Sequence, residues 1–304
     1  MIFPYQRDAY NELARTMSAH LLASKYEIKP RPRLSRLIIG PTGTGKSFIA
    51  KHAAKAAGWP VWSVNVSGWI IAGARQEPTW KHLLDWAVML DDKQPGLIVL
   101  DEVDKVWSAE SWSQHLRAEL YSLIDGSVPP SVTEYELDGR RWNMQELEQI
   151  LSRHLIVACG AFQENLGSEK IGFQGKPDEP TPNELAKHLQ RELVNRFHGA
   201  VIQLPRLTRK DYIDMLLAME STLPKQIYDR VTRLSASRID DAVRDQSGAR
   251  FAECLVSDVL LDMAESRGVW KHLMEHQKSI DDEADQGTTR EDLIKEAIRR
   301  AEEL

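Results

Sequence analysis

Two kinds of hydrophobic pattern alternate through the first two thirds of the chain. Short apolar runs occupy 37–39, 61–66, 97–100, 155–159 and 200–204, and the run Leu97-Ile98-Val99-Leu100 has no polar interruption. A strand covered on both faces reads that way. Between the runs, apolar residues recur at helical spacing: Leu13, Met17, Leu21 and Leu22 predict an opening helix, 48–57 predicts another closed by Gly58, and 79–90 a third carrying Trp80, Leu83, Leu84 and Trp86. Further helices are expected at 109–124, ending at Gly126, and at 184–197. The segment 132–137 instead alternates apolar and polar positions and meets Asp138-Gly139, which predicts a hairpin on the rim of the sheet. Residues 167–182, rich in glycine, proline and charge, read as a loop. Strands separated by helices give a five-stranded parallel sheet in an α/β layer.

Beyond Pro205 no buried strand recurs, and 211–223, 228–233 and 249–274 carry helical patterns. The expected organisation is a large α/β domain over 1–205 and a small all-helical domain over 206–276. A polar, acidic linker then precedes an amphipathic helix within 277–304, with Leu293, Ile294, Ala297 and Ile298 on one face.

The first apolar run opens into Gly40-Pro41-Thr42-Gly43-Thr44-Gly45-Lys46-Ser47, followed by Phe48 at the head of the next helix. The pattern G-x-x-x-x-G-K-[ST] between a strand and a helix is that of a phosphate-binding loop. Its glycines let several backbone N–H groups point at one anion, and the helix adds its positive end. Lys46 would reach the β- and γ-phosphates of a nucleotide, and the Ser47 hydroxyl suits Mg²⁺, a hard cation that takes oxygen ligands. The run 97–100 delivers Asp101, Glu102 and Asp104 to its carboxyl end, where open α/β sheets bind ligands. Asp101 is there the second candidate in the metal shell, and Glu102 the candidate base for an attacking water.

Composition narrows the setting. The 304 residues, 42% of them hydrophobic, can bury a full core, which excludes a disordered chain. A net charge of -6 supplies no global basic field for nucleic acid or anionic membranes. Cys159 and Cys254 lie far apart in apolar runs without zinc spacing, and are read as reduced core thiols. No apolar run approaches the roughly 18 residues of a membrane span, and the first residues lack the pattern of a secretory leader, so the expected location is the cytoplasm. Nine tryptophans, five of them between Trp59 and Trp86, are expected to pack in the core; Trp80 and Trp86 are too far round the helix to form one stacking face.

These motifs together resemble the AAA+ ATPases over residues 1 to about 275, and within them the ClpX-like branch of the Clp and HslU type. The likeness is carried by GPTGTGKS at 40–47, LDEVDKV at 100–106, LYSLIDGS at 120–127, CGAF at 159–162, IGF at 171–173, ELVNRF at 192–197 and SGAR at 247–250, in the family's order. It implies a P-loop NTPase fold with a helical lid. It also implies ATP and Mg²⁺ as ligands and a homo-oligomeric ring, a hexamer, that remodels or unfolds protein. Arg196 resembles the arginine finger that reaches the γ-phosphate on the neighbouring subunit, with Arg191 as its nearest rival, and Arg250 resembles the sensor arginine of the lid. An Arg suits such work because its planar, permanently charged fork binds phosphate oxygens in pairs. Tyr5 and Gln6 resemble the start of the segment that packs on adenine, and a hydrophobic N-terminal staple is an equally good reading.

The chain departs from the family at its pore. Where ClpX carries an aromatic grip this sequence has Gly73-Ala74-Arg75-Gln76, so that Trp69 or Ile70 substitutes, or the pore meets nucleic-acid phosphate or acidic side chains. A nucleotide-switched scaffold on DNA or a partner is the competing function. Cys159-Gly160-Ala161 stands where many relatives place Asn or Thr to orient water. Ile171-Gly172-Phe173 matches the motif that docks ClpX on a ClpP-like peptidase, and is also what a loop glycine between inward-folded apolar residues looks like.

Overall fold

The computed structural model describes residues 1–26, 28–29, 32, 34–71, 77–91, 94–107, 112–130, 132, 134–162, 191–197 and 200–266. The chain forms two compact units, the first comprising residues 1–214 with 242–249, the second residues 215–241 with those from Arg250 onward.

In chain order the first unit contains α1 (Arg7–Lys25), β1 (Arg36–Ile39), α2 (Lys46–Ala56), β2 (Val61–Asn65), α3 (Thr79–Met89), β3 (Leu97–Asp101), α4 (Trp112–Asp125), β4 (Tyr135–Leu137), β5 (Arg140–Trp142), α5 (Met144–Leu151), β6 (Leu155–Gly160), α6 (Arg191–Arg196) and β7 (Val201–Gln203). Five strands make one parallel sheet in the order β2-β3-β6-β1-β7. The crossover puts β1 and β3 on either side of β6, so the loops leaving all three emerge at one edge. That juxtaposition creates the site.

The three central strands β3, β6 and β1 are buried on both faces, as their apolar runs require, while the edge strands β2 and β7 are only partly covered. Leu37, Ile39, Ile98 and Leu100 face a core completed by Trp80, Leu83 and Leu84 of α3 and Leu116 and Leu120 of α4. Ile38, Leu97, Val99 and Val157 face the opposite core with Ile49 and Ala53 of α2 and Leu13 and Met17 of α1. Side chains of this kind contribute about 1.5–3 kcal/mol each when fully buried. Three of the tryptophans join the packing: Trp69 meets Trp62 and Trp80 edge-on, both at 6.3 Å. The hairpin β4–β5 pairs antiparallel around Asp138-Gly139, as the alternation predicts, and the Tyr135 hydroxyl ties it to Asp85 of α3 at 2.7 Å.

Three features differ from the sequence pattern. On α1 the inward line is Ala9, Leu13, Thr16, Met17 and His20, while Leu21 and Leu22 are exposed. His20 takes the inward place because its ring nitrogen finds the Arg153 carbonyl at 2.8 Å and its ring packs on Trp59. Helix α5 is an addition to the expected elements, although Asn143 and Glu146 form a reciprocal capping box at its start. Cys159 is buried in β6, but Cys254 is exposed and is not a core thiol.

The remaining helices are α7 (Arg209–Met219), α8 (Lys225–Ser235), α9 (Ile239–Asp245) and α10 (Arg250–Ser266). In the second unit α8 and α10 pack on Val231, Leu255 and Val259, and Arg230 pairs with Asp262 at 2.9 Å across them.

Candidate active site

The glycine-rich loop leaves β1 at Ile39, which pairs with Gly160 of β6 and Gln203 of β7. Two of its glycines are sterically required. A Cβ at Gly40 would lie 2.7 Å from the Leu204 carbonyl oxygen, and one at Gly45 2.6 Å from the Gln6 amide nitrogen, with φ of +150° and +85°. Within the loop Thr44 donates its hydroxyl to the Pro41 carbonyl at 2.8 Å. Helix α2 starts at Lys46, directly after the loop, so its positive N-terminal end adjoins the loop. Lys46, only 9% accessible as a residue, donates its ammonium to the Gly40 and Pro41 carbonyls at 2.9 Å each. Ser47 follows it on the first turn. Phe48 is 44% exposed and stacks on His52 one turn further along α2.

Two segments distant in sequence brace this loop. From the N-terminus, the buried Gln6 donates its amide to the Thr44 carbonyl at 2.8 Å and the Tyr5 hydroxyl donates to the same oxygen at 3.0 Å. The Tyr5 ring stacks on Phe3, whose N–H donates to the Gln6 side chain. From the other side, the Ala249 N–H donates to the Gly43 carbonyl at 2.8 Å. Gly248 precedes it at φ +65°, where a Cβ would lie 2.3 Å from the same carbonyl oxygen. The turn is secured by Tyr212, whose hydroxyl accepts from the Gly248 N–H and donates to the Ala242 carbonyl, and by Gln246, which brackets the backbone of Leu207.

The acidic residues sit at the same sheet edge. Leu100 lies opposite Ala158 of β6 and Asp101 opposite Asn65 of β2. Glu102 adopts φ +57°, a conformation costing a non-glycine residue about 1–3 kcal/mol, of the kind that clusters at functional sites. Its N–H donates to the Asp101 carboxylate at 3.1 Å, and its own carboxylate accepts a long 3.4 Å bond from the Ser67 hydroxyl. Ser67 is itself placed by Asn65, whose side chain accepts its N–H. Asp104 works differently, accepting the Ala161 N–H at 3.0 Å and so pinning the end of β6. Behind these groups burial pushes the Cys159 thiol well above its ordinary range; the Asp101 carboxylate adds to the rise and the Lys46 ammonium opposes it. Loop, lysine and carboxylate therefore converge on one end of β6.

Arg196 closes α6 and reaches α4, stacking 4.0 Å over the Tyr121 ring and pairing with Asp125. Arg250 is the exposed first residue of α10, in the second unit. The side chain of Arg191, the pore residues 73–76, the tripeptide 171–173 and the C-terminal segment 277–304 lie outside the described residues. The sequence does not single out Gln6 as a brace of the loop, nor Ser67, Tyr121 and Asp125. Each works through a partner dozens of residues away; for Tyr121 and Asp125 the sequence carries their one-turn spacing within LYSLIDGS at 120–127, which does not name Arg196 as the partner.

Residues 36–156, from β1 into β6, match the ATPase family associated with various cellular activities, AAA. Over this stretch the chain is similar to that family. Its sequence is similar to the ATP-dependent Clp protease ATP-binding subunit ClpX of Treponema denticola, 24% identical over 276 residues, covering 74% of this chain and 64% of the relative. It is similar at 23% identity to the proteins of that name from Borrelia duttonii, over 77% of this chain, and Porphyromonas gingivalis, over 74%. In each case it spans 64% of the relative's length, less than two thirds. Among the described residues no helix is long and apolar enough to cross a membrane. No cluster of three or more His, Cys, Asp or Glu side chains among them could cage a metal ion. Ser47 and Asp101, the candidate donors to a cation, offer oxygen ligands of the type that Mg²⁺ takes.

Proposed function

We propose that the protein hydrolyses ATP at sites shared between the subunits of a homo-oligomeric ring, a hexamer, and couples turnover to the remodelling or unfolding of a protein or protein complex. The observation that carries this reading is the convergence of the braced 40–47 loop with Asp101 and Glu102 at one sheet edge. The loop N–H groups and the first turn of α2 bind the phosphates, with Gly40 to Phe48 forming the cradle and Tyr5 on the side of the base. Lys46 exchanges its two carbonyl partners for β- and γ-phosphate oxygens, a better match for a desolvated ammonium. Ser47 and Asp101 hold Mg²⁺, which when bound neutralises charge on the phosphates. Glu102, held by Ser67 and by the turn after β3, accepts the proton of the attacking water. Arg196 stabilises the charge developing on the phosphate of the neighbouring subunit, and Arg250 senses the γ-phosphate from the lid.

The remodelling role rests on similarity to ClpX, as does docking of a ClpP-like peptidase through Ile171, Gly172 and Phe173. Arg75 in place of an aromatic favours a second reading, a nucleotide-switched assembly on DNA, which steeply salt-dependent DNA binding would support. Glu102→Gln tests the chemistry. It is expected to bind ATP as the wild type does while turnover falls by about 100-fold or more; turnover within a few-fold of wild type would remove Glu102 from the base role. Proteins retained by that variant in ATP identify the substrate.

A further inference from the structure

The arginine at the end of α6 is held in a manner that its proposed role does not by itself explain. Tyr121 and Asp125 are one turn apart at the carboxyl end of α4, so a ring and a carboxylate occupy one face of the helix. The Arg196 guanidinium lies over the ring, its carbon 4.0 Å from the ring centre. One terminal nitrogen pairs with the Asp125 carboxylate and lies 3.5 Å from the Tyr121 carbonyl. The ring supports one side of the guanidinium, and rotation about the side chain is stopped by the carboxylate. The side chain keeps 24% of its surface accessible, so it is fixed and still reachable. The Arg196 cation is also well placed in charge, because α4 offers it three negative groups: the carboxyl-terminal end of the helix, the Asp125 carboxylate and the aromatic face of Tyr121.

We infer that Asp125 and Tyr121 are positioning residues for Arg196, which orient its guanidinium before it meets the phosphate bound by a neighbouring subunit. This rests on the reading of Arg196 as a group acting across the interface. A long arginine that searched many rotamers at each turnover would supply its charge late and in varied geometry; one clamped on two sides supplies it ready-made. The carboxylate offsets part of the positive charge, and its benefit comes from orientation. The effect should therefore fall on turnover and leave ATP affinity alone.

The test uses mixed assemblies. Arg196→Ala subunits keep an intact ATP site but offer no guanidinium, and Lys46→Ala subunits offer the guanidinium without a working site. Mixing the two restores turnover. When Asp125→Asn is added to the Lys46→Ala subunits, the restored kcat is expected to fall about tenfold with KM for ATP unchanged, and Asp125→Glu to recover part of the loss. Placed on the Arg196→Ala subunits the same substitution should change nothing, since their guanidinium is already gone. A purely structural role for Asp125 predicts equal losses in both arrangements. Equal losses, no loss, or faster turnover would each overturn the positioning role. If the parental mixture restores nothing, action of Arg196 across the interface fails first and the positioning role falls with it.

Discussion

Substitution of Gly248 by alanine isolates the contact between the 247–249 turn and the phosphate loop. A Cβ there would lie 2.3 Å from the Gly43 carbonyl oxygen, 2.4 Å from its carbon and 2.9 Å from the Thr44 nitrogen. None of these atoms belongs to a side chain that could swing away, so the two backbones must part by about 1 Å to reach an ordinary carbon–oxygen contact. The left-handed conformation of the residue adds about 1–2 kcal/mol for any L side chain, and loss of the Ala249 to Gly43 hydrogen bond about 1 kcal/mol more. Stability should fall by about 2–3 kcal/mol, equivalent in a chain of this length to a Tm lower by about 3–5 °C. Gly58→Ala is the matched control, because Gly58 has φ +69° and a Cβ added to it would meet no heavy atom within 4 Å; it should lose only the conformational cost. The decisive assay is titration with a fluorescent adenine nucleotide. Gly248→Ala displaces the loop's own carbonyl and should weaken binding about tenfold, while Gly58→Ala should bind as the wild type does. If both variants melt alike and bind alike, the turn does not brace the loop.

Two other substitutions probe the remainder of the site. Ser67→Ala removes the hydroxyl that reaches Glu102 at 3.4 Å; turnover should fall about threefold with nucleotide affinity unchanged, and no change in steady-state rate would show that this long bond does not orient Glu102. Thiol labelling at neutral pH should modify the exposed Cys254 quickly and the buried Cys159 only on unfolding. Because burial raises the Cys159 pKa, the native state holds that proton more tightly than the unfolded state. Its contribution is therefore complete below the ordinary thiol pKa of about 8.5 and is lost as pH rises above it. Denaturant melts of Cys159→Ala should show a shallower alkaline decline than the wild type.

The sheet is legible in the sequence because burial on both faces leaves a local mark: 97–100 is apolar throughout, and each such run forms a strand. Phosphate-loop chemistry is equally legible, since Gly40, Gly45, Lys46 and Ser47 act through backbone geometry within one turn. Along α1 the apolar pattern points one position too far, because a leucine at 21 outweighs a histidine at 20 that the fold satisfies with a carbonyl. Helix α5 escapes the periodicity although Asn143 and Glu146 announce it, the intervening pattern being short. Pairings between remote segments leave no such mark. Ser67 and Glu102 are 35 residues apart and Asp125 and Arg196 71, and the Gly43–Ala249 bond joins the two ends of the first unit. Such contacts depend on strand order, which periodicity does not encode.

Completion of one ATP site by two subunits is tested most directly by mixing Arg196→Ala with Lys46→Ala. Each variant alone should be inactive. At equal amounts, random assembly into a closed ring places an intact site beside an intact Arg196 at about one interface in four. The mixture should therefore recover up to about a quarter of the wild-type rate per subunit. A mixture as inactive as its parents, with ring assembly intact, would contradict the shared site.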